Sequence, residues 1–142
     1  MIQSKPKILF RISGGNSPKT ELGFGHIYRS INLATNLTRC QIFFLLEDFG
    51  SAKQILQKHG FKQIICLDKN ISLNDDFDQT RIIIEKYDID IVIVDKYGPK
   101  LKKTYLSKIK KIAKLVLVTD LDKKDFPADL IINGFIGFQN KI

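Results

Sequence analysis

A chain of 142 residues is the size of one domain, and a hydrophobic content of 44% is enough for a real core. The net charge of +8, from 23 Lys and Arg against 15 Asp and Glu, favours anionic partners without naming one. No stretch approaches the roughly 18 apolar residues of a membrane-spanning helix, and MIQSKPKILF lacks the apolar segment of a signal peptide, so a cytoplasmic protein with no membrane segment is expected.

The run KILFRI (7–12) reads as a buried strand, and HIYRSINLATNL (26–37) changes to helical spacing through Ile27, Ile31, Ala34 and Leu37. QIFFLL (41–46) is a second strand. In SAKQILQKHG, Ser51 and Gln54 fit a capping box and Gly60 fits the position just past a helix end. KQIICL (62–67) is a third strand. Residues 75–87 form a helix capped by Asn74, with Phe77, Thr80, Ile84 and Tyr87 on one face. DIVIVD (90–95) is the strongest strand. PKLKKTYLSKIKKIA (99–113) is a helix opened by Pro99, with an apolar stripe of Leu101, Tyr105, Ile109 and Ile112. KLVLVTD (114–120) and DLIIN (129–133) complete the series.

Continuous apolar strands alternating with helices predict a parallel sheet covered on both faces, a doubly wound, Rossmann-like α/β fold. The lysines are spread over helix faces, which is the pattern of a solvated surface. Cys40 and Cys66 lie in or beside apolar runs without CxxC spacing, so buried free thiols are expected. Two histidines and two such cysteines provide no zinc ligand set. A basic nucleic-acid-binding domain would rest on charge alone, since no RNA-binding signature accompanies it.

In open α/β sheets the chemistry collects at the carboxyl ends of the strands. Strand one ends at Arg11 and enters the polar loop SGGNSPKTELGFG. Strand four ends in Asp95, followed by Lys96, Tyr97 and Gly98, and strand five in Thr119 and Asp120. A dinucleotide fingerprint does not fit: Gly23 and Gly25 match its first two glycines, but Tyr28 replaces the third and the preceding loop is long. P-loop and GxSxG patterns are missing. His26 stands at the start of a helix after a glycine turn. Free N–H groups and the helix dipole there disfavour an added positive charge, leaving a neutral ring to accept a proton from water or a hydroxyl. A histidine that only caps its own loop satisfies the same spacing. Gly23 and Gly25 allow backbone to approach a ligand. Arg29, one turn on, either projects beside the histidine or pairs with a carboxylate.

Arg11, the glycine-bearing loop, Gly23-Phe24-Gly25-His26-Ile27-Tyr28-Arg29 and Asn32-Leu33-Ala34 together resemble the N-terminal signature of the PseG/SpsG family. These are nucleotide-sugar hydrolases and their relatives in surface-polysaccharide and nonulosonic (pseudaminic) acid biosynthesis, themselves similar to GT-B glycosyltransferases of the MurG type. Asp95-Lys96-Tyr97-Gly98, Asp120 and Asp129–Asn133 extend the resemblance over nearly the whole chain.

The resemblance implies a UDP-linked amino sugar held between two Rossmann-like domains. Water attacks the anomeric carbon and UDP leaves, with no metal or other cofactor strictly required. It implies His26 as the group that activates the water, with Arg11, Gly23, Gly25, Arg29, Asp95, Tyr97 and Asp120 around the substrate. Two positions depart from the family pattern. Arg11-Ile12-Ser13 stands where Arg-x-Asp is common, and Thr119-Asp120 where Asp-Asp is expected.

Residues 1–133 then correspond to one GT-B half, the acceptor-side domain. Residues 134–142 correspond to the start of an interdomain connection, and a nucleotide-binding second domain has to come from elsewhere. A non-catalytic binding or assembly subunit, or the N-terminal half of a glycosyltransferase, fits the same organisation.

Overall fold

The computed structural model describes residues 4–13, 25–47, 49, 51–96, 101–119 and 125–133. Among the described residues there are six strands and four helices, in the order β1 Lys7–Ile12, α1 Gly25–Thr35, β2 Gln41–Glu47, α2 Ala52–Lys58, β3 Ile64–Leu67, α3 Leu73–Tyr87, β4 Ile91–Asp95, α4 Lys103–Lys110, β5 Lys114–Thr119 and β6 Leu130–Asn133. The strands form one sheet in the order β3-β2-β1-β4-β5-β6. Every pairing is parallel. This is the doubly wound, Rossmann-like arrangement that the alternation of elements predicts.

Side-chain alternation along the strands feeds two cores. Ile8, Phe10 and Ile12 of β1 pack with Phe44, Leu46 and Ile93 under Ile27, Ile31 and Ala34 of α1 and Ala52 and Leu56 of α2. Leu9, Phe43, Leu45, Val92 and Val94 point the other way, under Ile83 and Ile84 of α3 and Tyr105, Leu106 and Ile109 of α4. With strands buried on both faces, a buried strand position is expected to be apolar unless something pairs with it. Arg11, in the middle of this pattern, is the exception that needs an explanation.

Several local expectations are corrected. Helix α3 begins two residues early, because Ser72 rather than Asn74 is its cap: the Ser72 hydroxyl accepts from the Asp75 N–H at 3.1 Å. Ser51 occupies the cap position of α2 but makes no side-chain cap bond. At the other end of α2, Gly60 adopts φ +88°. The Gly60 N–H donates to Gln57 O and the Phe61 N–H to Leu56 O, the paired bonds of a Schellman motif. Helix α4 is shorter than its apolar stripe implied. Ile112 falls beyond it and is exposed, while Leu106 joins the core in its place. Pro99 lies outside the described residues. Cys66 is exposed because β3 is an edge strand, and Cys40 is half-buried; neither is in a disulfide. Among the described residues no helix is long and apolar enough to cross a membrane.

Candidate functional site

The strand order reverses direction between β1 and β4: the chain winds outward to β2 and β3 from one side, then to β5 and β6 from the other. At such a switch point the loops leaving neighbouring strands part and open a crevice at the carboxyl ends. Register pairs Ile12 with Asp95 there, and the Ser13 N–H donates to the Asp95 carbonyl at 3.1 Å, extending the ladder by one bond. Asp95 therefore sits on the last rung of the two central strands.

Alternation from Ile93 turns the Asp95 side chain toward α1, and two side chains from the first turns of that helix meet it. His26 Nδ1 lies 2.6 Å from Asp95 Oδ1. Arg29 donates from Nε to Oδ2 at 2.8 Å and from Nη2 to Oδ1 at 2.6 Å, a two-pronged grip on the same carboxylate. The spacing of three residues in a helix puts His26 and Arg29 on one face. Asp95 is 1% exposed, whereas the side chains of His26 and Arg29 are 17% and 26% exposed. A carboxylate held by Arg29 accepts and does not donate, so the short contact requires a proton on Nδ1; in the neutral tautomer with that proton, Nε2 is the accepting nitrogen. Arg29 Nη2 also approaches Nδ1, at 3.4 Å, but both atoms are donors in that tautomer, so the Asp95 bond decides it. A histidine oriented through one nitrogen by a buried carboxylate is equipped for proton transfer through the other.

The opposite face of the same strand ends carries a second polar group, which sequence reasoning missed. Arg11 is 0% exposed, and its guanidinium lies between two carboxylates. It donates from Nε and Nη2 to Asp76 at 3.2 and 2.6 Å, and from Nη2 to Glu47 at 2.7 Å. Nη1 reaches the Ile12 carbonyl at 2.6 Å. Lys96 donates to Asp76 at 2.8 Å and lies over the Tyr105 ring, and the Tyr105 hydroxyl donates to Asp76 at 2.9 Å. Thr80 adds a hydroxyl bond to the Asp76 carbonyl.

Burial acts on Asp76, Arg11, Lys96 and Tyr105. By itself it would raise the Asp76 pKa, but Arg11 and Lys96 outweigh it and hold the carboxyl well below the usual range. Burial would lower the Arg11 pKa, but Tyr105, Glu47 and Asp76 outweigh it and hold the guanidinium protonated. The Lys96 ammonium is lowered, by burial first and Arg11 second, with Asp76 opposing. Burial pushes the Tyr105 hydroxyl up.

These positions sort the expected site residues. Arg11 was expected at the substrate; its enclosure and its engagement by Asp76, Glu47 and the Ile12 carbonyl place it inside the protein instead, as the ion that links β1, β2 and α3. Asp95 touches His26 and Arg29 and is covered by them, so its influence on a ligand runs through those side chains. Arg29 takes the carboxylate-pairing option. Gly25 is the exposed first residue of α1, and a Cβ placed on it meets no atom within 4 Å. Gly23, Tyr97 and Asp120 lie outside the described residues. Among the described residues no group of three or more His, Cys, Asp or Glu is arranged to hold a metal ion.

Two openings flank the strand ends. One, about 350 Å³, lies on the α1 side and is lined by Arg29, Asn32, Leu33, Asn36, Val118, Ile132 and Asn133. The other, about 270 Å³, lies over Lys96 on the α3 side.

The six-stranded parallel sheet with its switch point between β1 and β4 places the chain among Rossmann-like α/β domains. No protein-family model matches it. An uncharacterized protein of Methanocaldococcus jannaschii, MJ1062, is 29% identical over 127 residues, a match that covers 85% of this chain and 24% of the relative. The chain thus spans about a quarter of that relative's length. Among solved structures, MurG of Acinetobacter baumannii superposes with a TM-score of 0.58 at 13% identity, over 80% of this chain and 35% of that one. This likeness is one of fold, and it supports a GT-B-like architecture.

Proposed function

We propose that this chain is the histidine-bearing half of a nucleotide-sugar hydrolase acting on a UDP-linked amino sugar, in line with its resemblance to the PseG/SpsG family. The observation that carries the reading is the His26–Asp95 pair at the carboxyl ends of the two central strands, β1 and β4. In the reaction, His26 Nε2 takes a proton from water while the water oxygen bonds to the anomeric carbon. The bond from that carbon to the β-phosphate oxygen breaks, and UDP departs with the electron pair. Asp95 holds the Nδ1 proton and supports the imidazolium that forms; Arg29 fixes Asp95. Gly23, Gly25, Tyr97 and Asp120 complete the substrate contacts in this reading, and a second Rossmann-like domain supplies the nucleotide site.

The test is UDP release from a UDP-linked amino sugar, with the chain alone and with a second-domain partner. Release that disappears in His26→Ala supports the reading; release untouched by it removes His26 from the mechanism. The fold likeness to MurG favours a second reading, a glycosyltransferase half, which the same assay separates: UDP release would then require an added sugar acceptor rather than water. No release under any pairing leaves a binding or assembly subunit.

A further inference from the structure

The opening over Lys96 is built from parts that the His26 site does not use. Its walls come from the end of β2 (Glu47), the β3–α3 connection (Lys69, Ile71), the first turn of α3 (Leu73, Asp76), the residue after β4 (Lys96) and the cap of α4 (Lys102). It lies on the α3/α4 face of the sheet, whereas His26 and Asp95 meet on the α1 face.

Among the described residues its charge is unbalanced. Arg11 and Lys96 match Glu47 and Asp76 one for one, with Arg11 bridging both carboxylates. Lys69 and Lys102 are then in excess, and both are exposed on the rim. Lys96, 5% exposed, has three N–H groups, and among the described residues Asp76 is its one hydrogen-bond acceptor. Helix α4 opens at the same rim with Lys102 as a cap that makes no side-chain bond, so the positive end of that helix adds to the field of the lysines. Ile71 and Leu73 supply the apolar part of the lining.

We infer that this pocket binds a phosphorylated small molecule, its phosphoryl group on Lys69, Lys96 and Lys102 and its organic part against Ile71 and Leu73. A phosphoryl dianion matches the two excess charges, and a volume of about 270 Å³ leaves room for more than the phosphoryl group alone. The inference is independent of the hydrolase reading, since it uses none of the residues around His26.

The probes are inorganic phosphate and phenyl phosphate, titrated into the chain at ionic strength held constant with NaCl and followed through backbone amide signals in NMR. Saturable binding of both is expected, with phenyl phosphate the tighter and the shifts centred on residues 69–73 and 102. The variant Lys69→Gln/Lys102→Gln, altered only at exposed positions, is expected to fold normally and to weaken both probes by roughly tenfold or more. His26→Ala is expected to leave both affinities unchanged. Absence of saturation overturns the inference. So does phosphate binding that survives the double variant, or binding that His26→Ala weakens as much as the double variant does. Equal affinity for the two probes overturns the role of the Ile71–Leu73 wall.

Discussion

Asp95 Oδ1 lies 2.6 Å from His26 Nδ1, a contact made across 69 positions of sequence and on the side of the sheet away from the Arg11 ions. Because Arg29 fills both oxygens of that carboxylate, Asp95 is an acceptor toward the ring. Replacing it by Asn turns one oxygen into an amide nitrogen, which then faces either Arg29 or His26. We expect Asp95→Asn to move the His26 ring away from the Nδ1–H tautomer, read from its ring nitrogen shifts in NMR. Any His26-dependent UDP release should fall by roughly 10²–10⁴-fold. An unchanged tautomer would show that Asp95 does not orient the ring.

Arg11 provides a stability test. Its guanidinium matches Glu47 and Asp76 inside the core, so removing it strands two carboxylates away from water. Arg11→Met should cost about 3–5 kcal/mol in urea denaturation. Arg11→Lys should also destabilise the protein, because one ammonium cannot reproduce a fork held by two carboxylates. In a cycle with Asp76→Asn the losses should fall short of additivity, since each substitution removes the other's partner.

The same network sets an acid limit. The folded-state pKa of Asp76 lies below its unfolded value because Arg11 and Lys96 outweigh burial. The unfolded chain therefore takes up this proton first, so the contribution of Asp76 to stability is complete above about pH 4 and is lost as the pH falls from there toward the folded pKa. Unfolding free energies measured between pH 7 and pH 3 should decline at the acid end. Asp76→Asn, less stable at pH 7, should flatten that decline.

The capping positions separate what the sequence announced from what it did not. The Ser72 hydroxyl bonds the Asp75 N–H, whereas Ser51 makes no cap bond and Asn74 lies inside helix α3. Ser72→Ala should cost about 1 kcal/mol in urea denaturation, and Ser51→Ala and Asn74→Ala less than about 0.5 kcal/mol each. Equal losses at all three positions would mean that the Ser72 bond carries no special weight.

The parallel sheet was readable in advance because buried strands leave a continuous apolar record; the strand order, and with it the switch point, came from the structure. The place of His26 at a helix start was readable from the change of period after Gly23 and Gly25; its pairing with Asp95 was not. The Arg11 network was not, for a physical reason: its partners Glu47, Asp76 and Lys96 come from three separate elements, and only the folded packing brings them together. A signal did exist. An arginine inside KILFRI must find a counter-charge if the strand is buried. Asp76 precedes Thr80 by four residues on the inner face of α3, where an acidic residue also needs a partner. Arg11 was assigned to substrate because a charged residue at a strand end suits a site as well as it suits a buried ion pair, and only its burial separates the two.

Two glycines make the last comparison. Gly60 holds φ +88°, the left-handed conformation that a side chain resists, so Gly60→Ala should lower stability by about 1 kcal/mol. Gly25 has no positive φ and nothing within 4 Å of an added Cβ, so Gly25→Ala should leave stability unchanged or slightly raised at the first position of a helix. Nothing among the described residues therefore demands glycine at position 25. If Gly25 serves the close approach of a ligand, Gly25→Ala should weaken nucleotide-sugar binding or slow UDP release while urea denaturation stays unaltered. Kinetics as intact as the stability would reduce Gly25 to the residue that opens α1 and take it out of the site.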